Sequence, residues 1–192
     1  MQTVVLAAFA DSAKVKQQFA REHADRIVHV AGLIANAFNN GNKVLLFGNG
    51  GSSTDAAHIA AEFVGRYRRD RVPLPAIALA TDIAAITCIA NDYGYEELFA
   101  RQVLAHGRKG DIAIGISTSG NSPNVLKGIA AARECGLITV AWTGGSGGTL
   151  AGLVEYPFIV PSTLTSRIQE SHITLGHVLC ELIEDHLLGN AS

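Results

Sequence analysis

The apolar residues of this chain follow two different spacings, and the change falls near residue 41. Between residues 3 and 40 they recur every three or four positions, which predicts helix. Asn39, Asn40 and Gly41 then supply a stop signal, because Asn and Gly are common just beyond the last helical turn. We expect this region to form one long bent helix or a helical hairpin.

Beyond residue 41, short apolar runs alternate with helix-like stretches. The runs are residues 43–48, 75–80, 111–116, 137–142 and 156–161, and the helix-like stretches are 54–65, 82–105 (in one or two pieces), 123–134 and 167–188. Nearly continuous apolar strands separated by helices indicate a parallel sheet covered on both faces. We therefore predict an α/β fold, a doubly wound five-stranded parallel sheet of flavodoxin-like type with an N-terminal helical extension.

The change of pattern near residue 41 also predicts a division of the chain into two parts, and the composition excludes some classes of partner. We expect residues 1–40 to form a helical segment that packs on the core or on other subunits, and residues 41–192 to form the main domain. The formal charge of -2 offers no overall basic field, so neither a nucleic-acid nor a membrane partner is expected. Three scattered cysteines and an N-terminus without a basic signal region predict a cytoplasmic protein.

Ligands of such sheets bind beyond the carboxyl ends of the strands, so the loop after the first strand is a candidate site. In this loop Gly48, Gly50 and Gly51 allow conformations and close approaches that other residues prevent. Ser52 and Asp55 have the spacing of a capping box, and Ser52 is also a candidate substrate contact. The loop matches neither the GxGxxG fingerprint nor the lysine-bearing P-loop, so no nucleotide cofactor is expected.

The loop after the third strand carries four hydroxyls within six positions, namely those of Ser117, Thr118, Ser119 and Ser122. Ser122 followed by Pro123 is typical of an N-cap and a first helical position. Neutral hydroxyls and helix-start amides can hold a phosphate monoester without a cation. The alternative is that these residues only turn and cap the chain. Two such loops at strand ends favour an anion site, and we predict that it binds the phosphate of a sugar.

Two helices carry candidate acid, base and metal-binding side chains. His58 and Glu62 lie four residues apart on one helical face, and the last helix carries Gln169, His172 and His177. Aldose–ketose isomerisation needs a base at the carbon beside a carbonyl and an acid at the carbonyl oxygen, roles that suit a carboxylate and an imidazole. The same side-chain types can ligate zinc. The alternatives are an ordinary surface pair and buried core histidines.

Gln169 and His177 set a geometric limit on such a zinc site. They lie eight residues apart, which is about 12 Å along a helix axis. Both can reach one ion only through favourable side-chain reach or if a neighbouring chain contributes one of them.

Two further stretches have both functional and ordinary explanations. Asn91 and Asp92 are suited to hydrogen-bonding sugar hydroxyls, and equally suited to forming the turn before Gly94. The basic run at residues 65–71 is typical of a solvated helix end, but it could also attract an anionic substrate or line a subunit contact.

Six stretches together resemble the bacterial phosphoheptose isomerases of the sugar isomerase (SIS) domain class. They are GNGGSSTDAAHIAAEF, ALATD, ANDYGYEE, ISTSGNSPNVL, TGGSGG and RIQESHITLGH, within a resemblance that runs from about residue 40 to 188. The resemblance implies substrate binding by Asn49, Gly50, Gly51, Glu62, Asn91, Asp92, Ser117, Thr118, Ser119, Ser122 and Gln169. It implies Glu62 as base, His177 as acid, and one zinc ion per subunit held by His58, Glu62, Gln169 and His177.

The resemblance also implies a reaction and an assembly. The reaction converts sedoheptulose 7-phosphate to D-glycero-D-manno-heptose 7-phosphate, an early step toward nucleotide-activated heptose for lipopolysaccharide. The assembly is a homotetramer with active sites between subunits, which would relieve the spacing problem of Gln169 and His177.

Two other functions fit the same fold. One is a non-catalytic SIS-domain regulator that associates with the bacterial replication initiator, and the other is an isomerase of a different sugar phosphate. The regulatory branch lacks the catalytic glutamate and histidine. Since this chain has Glu62 and His177, the enzyme is favoured.

Overall fold

The computed structural model describes residues 1–189, so the last three residues of the predicted 41–192 domain lie outside it. The strands are β1 (Val44–Gly48), β2 (Ala76–Ala78), β3 (Ile112–Ile116), β4 (Ile138–Gly144) and β5 (Tyr156–Val160). The helices are α1 (Gln2–Asn39), α2 (Gly51–Val64), α3 (Ile83–Tyr93), α4 (Leu98–His106), α5 (Pro123–Glu134), α6 (Gly148–Ala151) and α7 (Thr165–Leu188). A short 3-10 turn, Tyr95–Glu97, joins α3 to α4.

The five strands run parallel in the order β2-β1-β3-β4-β5. This is the flavodoxin-like order of a doubly wound sheet, which confirms the predicted fold class. The winding reverses between β1 and β3, and ligands of such sheets bind outside the carboxyl ends at this reversal. Gly48 pairs with Ile116 there, so the loops that follow these two residues begin side by side.

Alternate residues of each central strand feed two hydrophobic clusters, one on each face of the sheet. In β1, Val44 and Leu46 join the cluster that includes α1, α2 and α7. Leu45 and Phe47 join the opposite cluster, which includes α4 and α5. Burial on both faces explains why the central strands are continuous apolar runs in the sequence.

The N-terminal region is a single helix of 38 residues, not a hairpin. It ends at Asn39 as the sequence predicts, and Gly41 follows with a φ of 77°. From Val15 onward α1 buries one face, mainly against α7 and β5. The first part is largely exposed, with Phe9 at 76% of its surface. Although α1 and α7 are long, no helix within residues 1–189 is both long and apolar enough to cross a membrane.

The start of α2 corrects one prediction. The helix begins at Gly51, with Gly50 as its N-cap, and no side chain caps it. The predicted capping box of Ser52 and Asp55 is therefore wrong, because Ser52 already lies inside the first turn, where its N–H donates to the carbonyl of Asn49 at 3.0 Å. Gly50, with a φ of 55°, makes this early entry into the helix possible.

Candidate active site

The first loop of the site joins β1 to α2, and its glycines let neighbouring chain segments approach it closely. A Cβ atom on Gly48 would lie 2.6 Å from the carbonyl oxygen of Ile116, so a larger residue would separate β1 from β3. A Cβ atom on Gly51 would lie 2.5 Å from Nε2 of Gln169. The Gln169 amide therefore covers the first turn of α2, beside the exposed Gly50. These residues belong to separate sequence motifs, and the fold brings them together.

The serine loop, residues 117–122, joins β3 to α5. Ser117 Oγ lies 2.9 Å from Ser122 Oγ and 3.5 Å from Ser119 Oγ, so three of the predicted hydroxyls converge. Ser122 is the N-cap and Pro123 is in the first turn, as predicted. The Ser122 hydroxyl makes no capping hydrogen bond and faces Ser117 instead. The cluster thus lies at the N-terminus of a helix, where the dipole favours an anion.

The loop after β4 supports the serine loop from the other side. Gly120 has a φ of 66°, and a Cβ atom on it would lie 2.0 Å from the carbonyl oxygen of Gly147. Asn121 Oδ1 accepts hydrogen bonds from the backbone N–H and the hydroxyl of Thr149, both at 3.0 Å. Thr118 and Ser119 also line a cavity of about 260 Å³ between these loops and the start of α7. The TGGSGG motif therefore shapes the serine loop by packing.

Asn91 and Asp92 lie at the exposed end of α3. Asn91 Nδ2 donates to Asp92 Oδ1 at 2.7 Å, and Gly94 ends the helix with a φ of 92°. Tyr95 follows at once, and its hydroxyl donates to Asn49 Oδ1 at 3.0 Å. The segment is thereby joined to the first loop, and a substrate role for Asn91 and Asp92 stays a prediction.

His58, Glu62 and His177 form a compact group between α2 and α7. His58 Nε2 lies 3.2 Å from Glu62 Oε1 and 3.5 Å from His177 Nε2. One ligand atom from each residue lies within 4.8 Å of the other two. The predicted His58–Glu62 pair is therefore part of a three-residue arrangement in which Glu62 and His177 are half-buried and His58 is exposed.

These groups share one seam between α2 and α7. Gly51, Asp55, His58 and Glu62 recur at helical spacing on one face of α2. Gly51 contacts Gln169 at one end of this α2–α7 seam, and His58 contacts His177 farther along it. Gly51 and His58 are about 10.5 Å apart along α2 by the helical rise. Asp55 lies between the two ends, half-buried, and burial raises its pKa while nearby His58 opposes the rise.

In a single protomer Gln169 lies at the end of the α2–α7 seam that is next to residues 117–122, the serine-loop end. Side chains of a helix lean toward its N-terminus, so Gln169 extends away from His177, and α7 is continuous between them. Its role as a ligand together with His177 therefore stays a prediction, as does its role in substrate binding.

Residues packed behind His58 and His177, which form the imidazole end of the α2–α7 seam, hold these two side chains in place. Sequence patterns did not reveal these supporting residues. Arg71 and Glu184 form a buried ion pair at 3.1 Å. Arg71 also donates to the carbonyls of Glu62 and Phe63, at 2.8 and 2.9 Å, at the end of α2. The Tyr67 ring stacks on the His177 ring, with centroids 5.7 Å apart.

The Glu184 carboxylate of α7 binds the backbone of the basic run, residues 65–71. It accepts hydrogen bonds from the backbone N–H groups of Tyr67, Arg68 and Arg69, all at 3.1 Å. Burial alone would raise its pKa, but these N–H groups and Arg71 hold the pKa below its ordinary value. The run at 65–71 is therefore fastened to α7 through its backbone and through Arg71, while Gly65, Arg66, Arg68 and Asp70 are exposed as expected of a solvated helix end.

The donor set at the imidazole end fits a tetrahedral zinc ion. Nitrogen and oxygen ligands lie about 2.0–2.2 Å from zinc, which places two ligand atoms of a tetrahedron about 3.3 Å apart. The separations of 3.2 Å for His58–Glu62 and 3.5 Å for His58–His177 are close to that value. Two imidazoles and a carboxylate are also the ligand types of many catalytic zinc sites.

Comparison with known proteins agrees with the fold. A family model described as the SIS domain matches residues 9–144. The phosphoheptose isomerase of Aquifex aeolicus is 59% identical over 177 residues, which is 92% of this chain and 93% of that protein. The solved phosphoheptose isomerase of Neisseria gonorrhoeae has a TM-score of 0.90 and 42% identity, covering 96% of this chain and 98% of its own. The phosphoheptose isomerase of Francisella tularensis has a TM-score of 0.92 and 36% identity, with the same coverage.

The similarity spans nearly the whole length of both partners in each of these pairs. This chain therefore belongs to the phosphoheptose isomerases, a family of sugar-phosphate isomerase enzymes built on the SIS domain.

Proposed function

We propose that the protein converts sedoheptulose 7-phosphate to D-glycero-D-manno-heptose 7-phosphate, on the route to the nucleotide-activated heptose of lipopolysaccharide. The observation that carries the proposal is the α2–α7 seam. Converging neutral hydroxyls lie beside one end of it, and the group of His58, Glu62 and His177 lies about 10.5 Å farther along. A phosphate and a carbonyl at opposite ends of a seven-carbon chain suit such a separation.

The substrate is held along the length of the seam. The phosphate accepts hydrogen bonds from Ser117, Thr118, Ser119 and Ser122 and from the backbone N–H groups of Gly50 and Gly51, with Ser52 beside them. The sugar hydroxyls are bound by Asn91, Asp92 and Gln169, with Asn49 in the loop beside them. This arrangement places the carbonyl carbon near Glu62 and His177.

Two pairs of proton transfers complete the reaction. Glu62 takes the proton from C1 of the ketose while a proton on the His177 imidazole goes to the carbonyl oxygen at C2, which gives the ene-diol. His177 then takes the proton of the C1 hydroxyl, and Glu62 returns its proton to C2. The product is the aldehyde at C1, and both side chains regain their starting states.

His58, Glu62 and His177 would hold a zinc ion, and Gln169 would complete the set where a neighbouring subunit contributes it; when bound, the ion would polarise the carbonyl oxygen and stabilise negative charge on it. A carboxylate has two oxygens, so Glu62 can bind the metal with one and accept a proton with the other. The Nε2 atom of His177 can either ligate the metal or carry a proton, but it cannot do both. Zinc analysis of the wild type and of His177→Gln, with and without chelator treatment, therefore decides which role His177 has: loss of zinc in the variant indicates a ligand, and retained zinc with lost turnover indicates the acid.

We propose a homotetrameric cytoplasmic enzyme with active sites between subunits, and a helical segment of residues 1–40 that contributes to the contacts. Exposed apolar side chains on the first part of α1, such as Val4 at 71% and Phe9 at 76%, support a contact with another copy. An apolar cavity of about 320 Å³ between α1 and α7 supports it further. Light scattering would show a mass four times that of the chain, and a monomer would contradict the assembly.

The experiment that tests the reaction is incubation of the purified protein with sedoheptulose 7-phosphate, fructose 6-phosphate and an amino-sugar phosphate in deuterated water. We expect an aldose product only from the heptose, with deuterium at C2. Retention of the substrate hydrogen in single turnovers would indicate a hydride shift instead. Binding without turnover would support a non-catalytic regulator, and turnover of a hexose phosphate alone would reassign the substrate.

A further inference from the structure

The side chain of Asn49 is already engaged within the protein. Its Nδ2 donates to Asn124 Oδ1 at 2.8 Å, and Asn124 Nδ2 donates back to Asn49 Oδ1 at 2.9 Å. The Tyr95 hydroxyl donates to the same Asn49 Oδ1 at 3.0 Å. The orientation of the Asn124 amide is fixed because the backbone N–H of Val125 donates to its Oδ1 at 3.0 Å.

Most of the hydrogen-bonding capacity of the Asn49 amide is used within the protein and is not available to a ligand. An asparagine amide offers two donor hydrogens and two acceptor lone pairs. In Asn49 both lone pairs and one hydrogen are used by Asn124 and Tyr95. One N–H remains, so the main contribution of this side chain is the connection that it makes.

That connection joins the two loops of the site. Asn49 follows β1, whereas Asn124 lies in the first turn of α5, two residues after Ser122. Asn124 is only 2% exposed, so the reciprocal amide pair is shielded from water on that side. Its two hydrogen bonds set the distance between the first loop and the serine loop.

Tyr95 adds the third segment to the same network. It begins the 3-10 turn that follows Asn91 and Asp92. Lys127 of α5 holds that turn by contacts to Glu96 at 2.9 Å and Glu97 at 2.8 Å. The three segments that supply most of the proposed substrate contacts thus meet at the Asn49 amide.

We propose that Asn124 and Tyr95 are positioning residues that act through Asn49 to hold the first loop and the serine loop at the separation that binds the phosphate group. The inference rests on the proposed function, in which these loops bind a sugar phosphate. It assigns the Asn49 side chain to positioning, so that substrate contact at this residue comes mainly from its backbone.

The test uses the single variants Asn49→Ala and Asn124→Ala, the double variant, Asn124→Asp and Tyr95→Phe, all in the full chain. Asn124→Asp keeps the shape and both acceptor contacts but cannot donate to Asn49 Oδ1. Gln102→Ala is the matched control, because Gln102 is a 7%-exposed amide that, among the described residues, bonds within its own helix, to the Leu98 carbonyl. KM and kcat are measured with sedoheptulose 7-phosphate, and affinity is measured calorimetrically with inorganic phosphate.

We expect each alanine variant and Asn124→Asp to raise KM and weaken phosphate binding about tenfold, with kcat changed less than about threefold. The double variant should be no worse than the more impaired single variant, because the two side chains act as a unit. Tyr95→Phe, which removes one hydrogen bond at an exposed position, should raise KM about threefold. Gln102→Ala should change neither KM nor phosphate affinity.

Several results would overturn the inference. One is an unchanged KM and phosphate affinity in Asn124→Asp and Tyr95→Phe, variants that retain the fold even if Asn124→Ala does not. Another is additive effects of Asn49→Ala and Asn124→Ala, which would indicate that Asn49 contacts the substrate on its own. If the wild type isomerises no sugar phosphate, the proposed function fails, and the phosphate affinities still decide the positioning role. A wild type that binds no phosphate overturns both.

Discussion

The two ends of the α2–α7 seam are built on different principles. The serine-loop end uses neutral hydroxyls and backbone amides from short, local turns, and residues 117–122 contain neither lysine nor arginine. The imidazole end uses ionisable side chains from two helices, and His58 and His177 are 119 residues apart in sequence. The donors of the first end come from local turns that the Asn49–Asn124 contact joins, whereas the second end exists only when two helices pack in register.

This difference follows from what each end has to do. Binding a phosphate needs donors in a fixed arrangement, and helix-start amides supply them without a titratable group. Moving protons needs side chains that change their ionisation, and these must be held close to one another. The imidazole end therefore depends on additional support from Tyr67, Arg71 and Glu184.

The largest expected effect comes from removing the proposed base. Glu62→Gln should lower kcat by about 10²- to 10⁴-fold and leave KM nearly unchanged, because the amide keeps the shape but cannot accept the proton. Steady-state kinetics with sedoheptulose 7-phosphate measures both. Glu134→Gln, at an exposed position at the far end of α5, is the control. A Glu62→Gln enzyme with near-normal kcat would remove this carboxylate from the base role.

The support of the imidazole end can be broken at Glu184. Glu184→Ala should lower the free energy of unfolding by about 3–5 kcal/mol, because Arg71 would remain buried without its partner. Glu181→Ala is the matched control, since its pair with Arg68 is largely exposed and should contribute less than about 1 kcal/mol. Urea denaturation measures both variants. Equal losses of unfolding free energy in the two variants would show that the buried Arg71–Glu184 pair contributes no more than the exposed Arg68–Glu181 pair.

Acid should weaken the packing beneath the seam through His172. Burial lowers the pKa of this histidine from 6.5 to about 4, and its Nε2 lies 3.1 Å from the Thr143 carbonyl oxygen. The unfolded imidazole binds a proton near pH 6.5, so the free energy of unfolding falls as the pH drops from 6.5 toward 4. The full contribution is about 3 kcal/mol, at 1.36 kcal/mol per pKa unit.

Urea denaturation between pH 4 and pH 8 measures this dependence. His172→Gln should reduce the slope in that window, with a smaller slope remaining from His23, whose pKa burial also lowers, whereas His106→Gln, at an exposed position, should leave the slope unchanged. Glu184 and Asp111 have lowered pKa values, so their contribution to stability is lost as the pH falls below the ordinary values of 4.5 and 3.8, at the acid edge of this window and beyond it. An unchanged slope in His172→Gln would contradict the assignment.

The smallest expected effect is at the serine-loop end. Ser117→Ala removes one neutral donor from a cluster of several, so KM should rise about tenfold while kcat changes little. Glu62→Gln is expected to change kcat and to leave KM nearly unchanged, which is the opposite effect. Measuring KM and kcat of the two variants side by side tests the contrast directly. A Ser117→Ala enzyme that loses kcat and keeps KM would contradict the separation of binding from chemistry.

Much of the fold could be predicted because its signals are local. The strands are apolar runs buried on both faces, and Ser122–Pro123 marks the start of α5 by its own chemistry. The capping box at Ser52 failed because a positive φ at Gly50 starts α2 earlier than the spacing rule assumes. The four-residue helix α6 was missed because so short a segment has no periodicity to detect.

The candidate site divides in the same way. Glycine and hydroxyl spacing identified both loops, and the resemblance to a family supplied the roles of Glu62, Gln169 and His177. Neither indicated Asn124, Tyr95 or Glu184. Each acts through a partner at least 46 residues away, and such pairings leave no pattern in a short window.

The sequence by itself determined the order of strands and helices and the hydroxyl-rich turns at two strand ends, because these depend on spacing rules that act over a few residues. Only the tertiary structure decided that His177 lies against His58, that Gln169 covers Gly51 and that Asn124 pairs with Asn49. The physical reason is that such contacts depend on how α2, α5 and α7 pack on the sheet. Packing is a property of the whole core, and no single segment contains it.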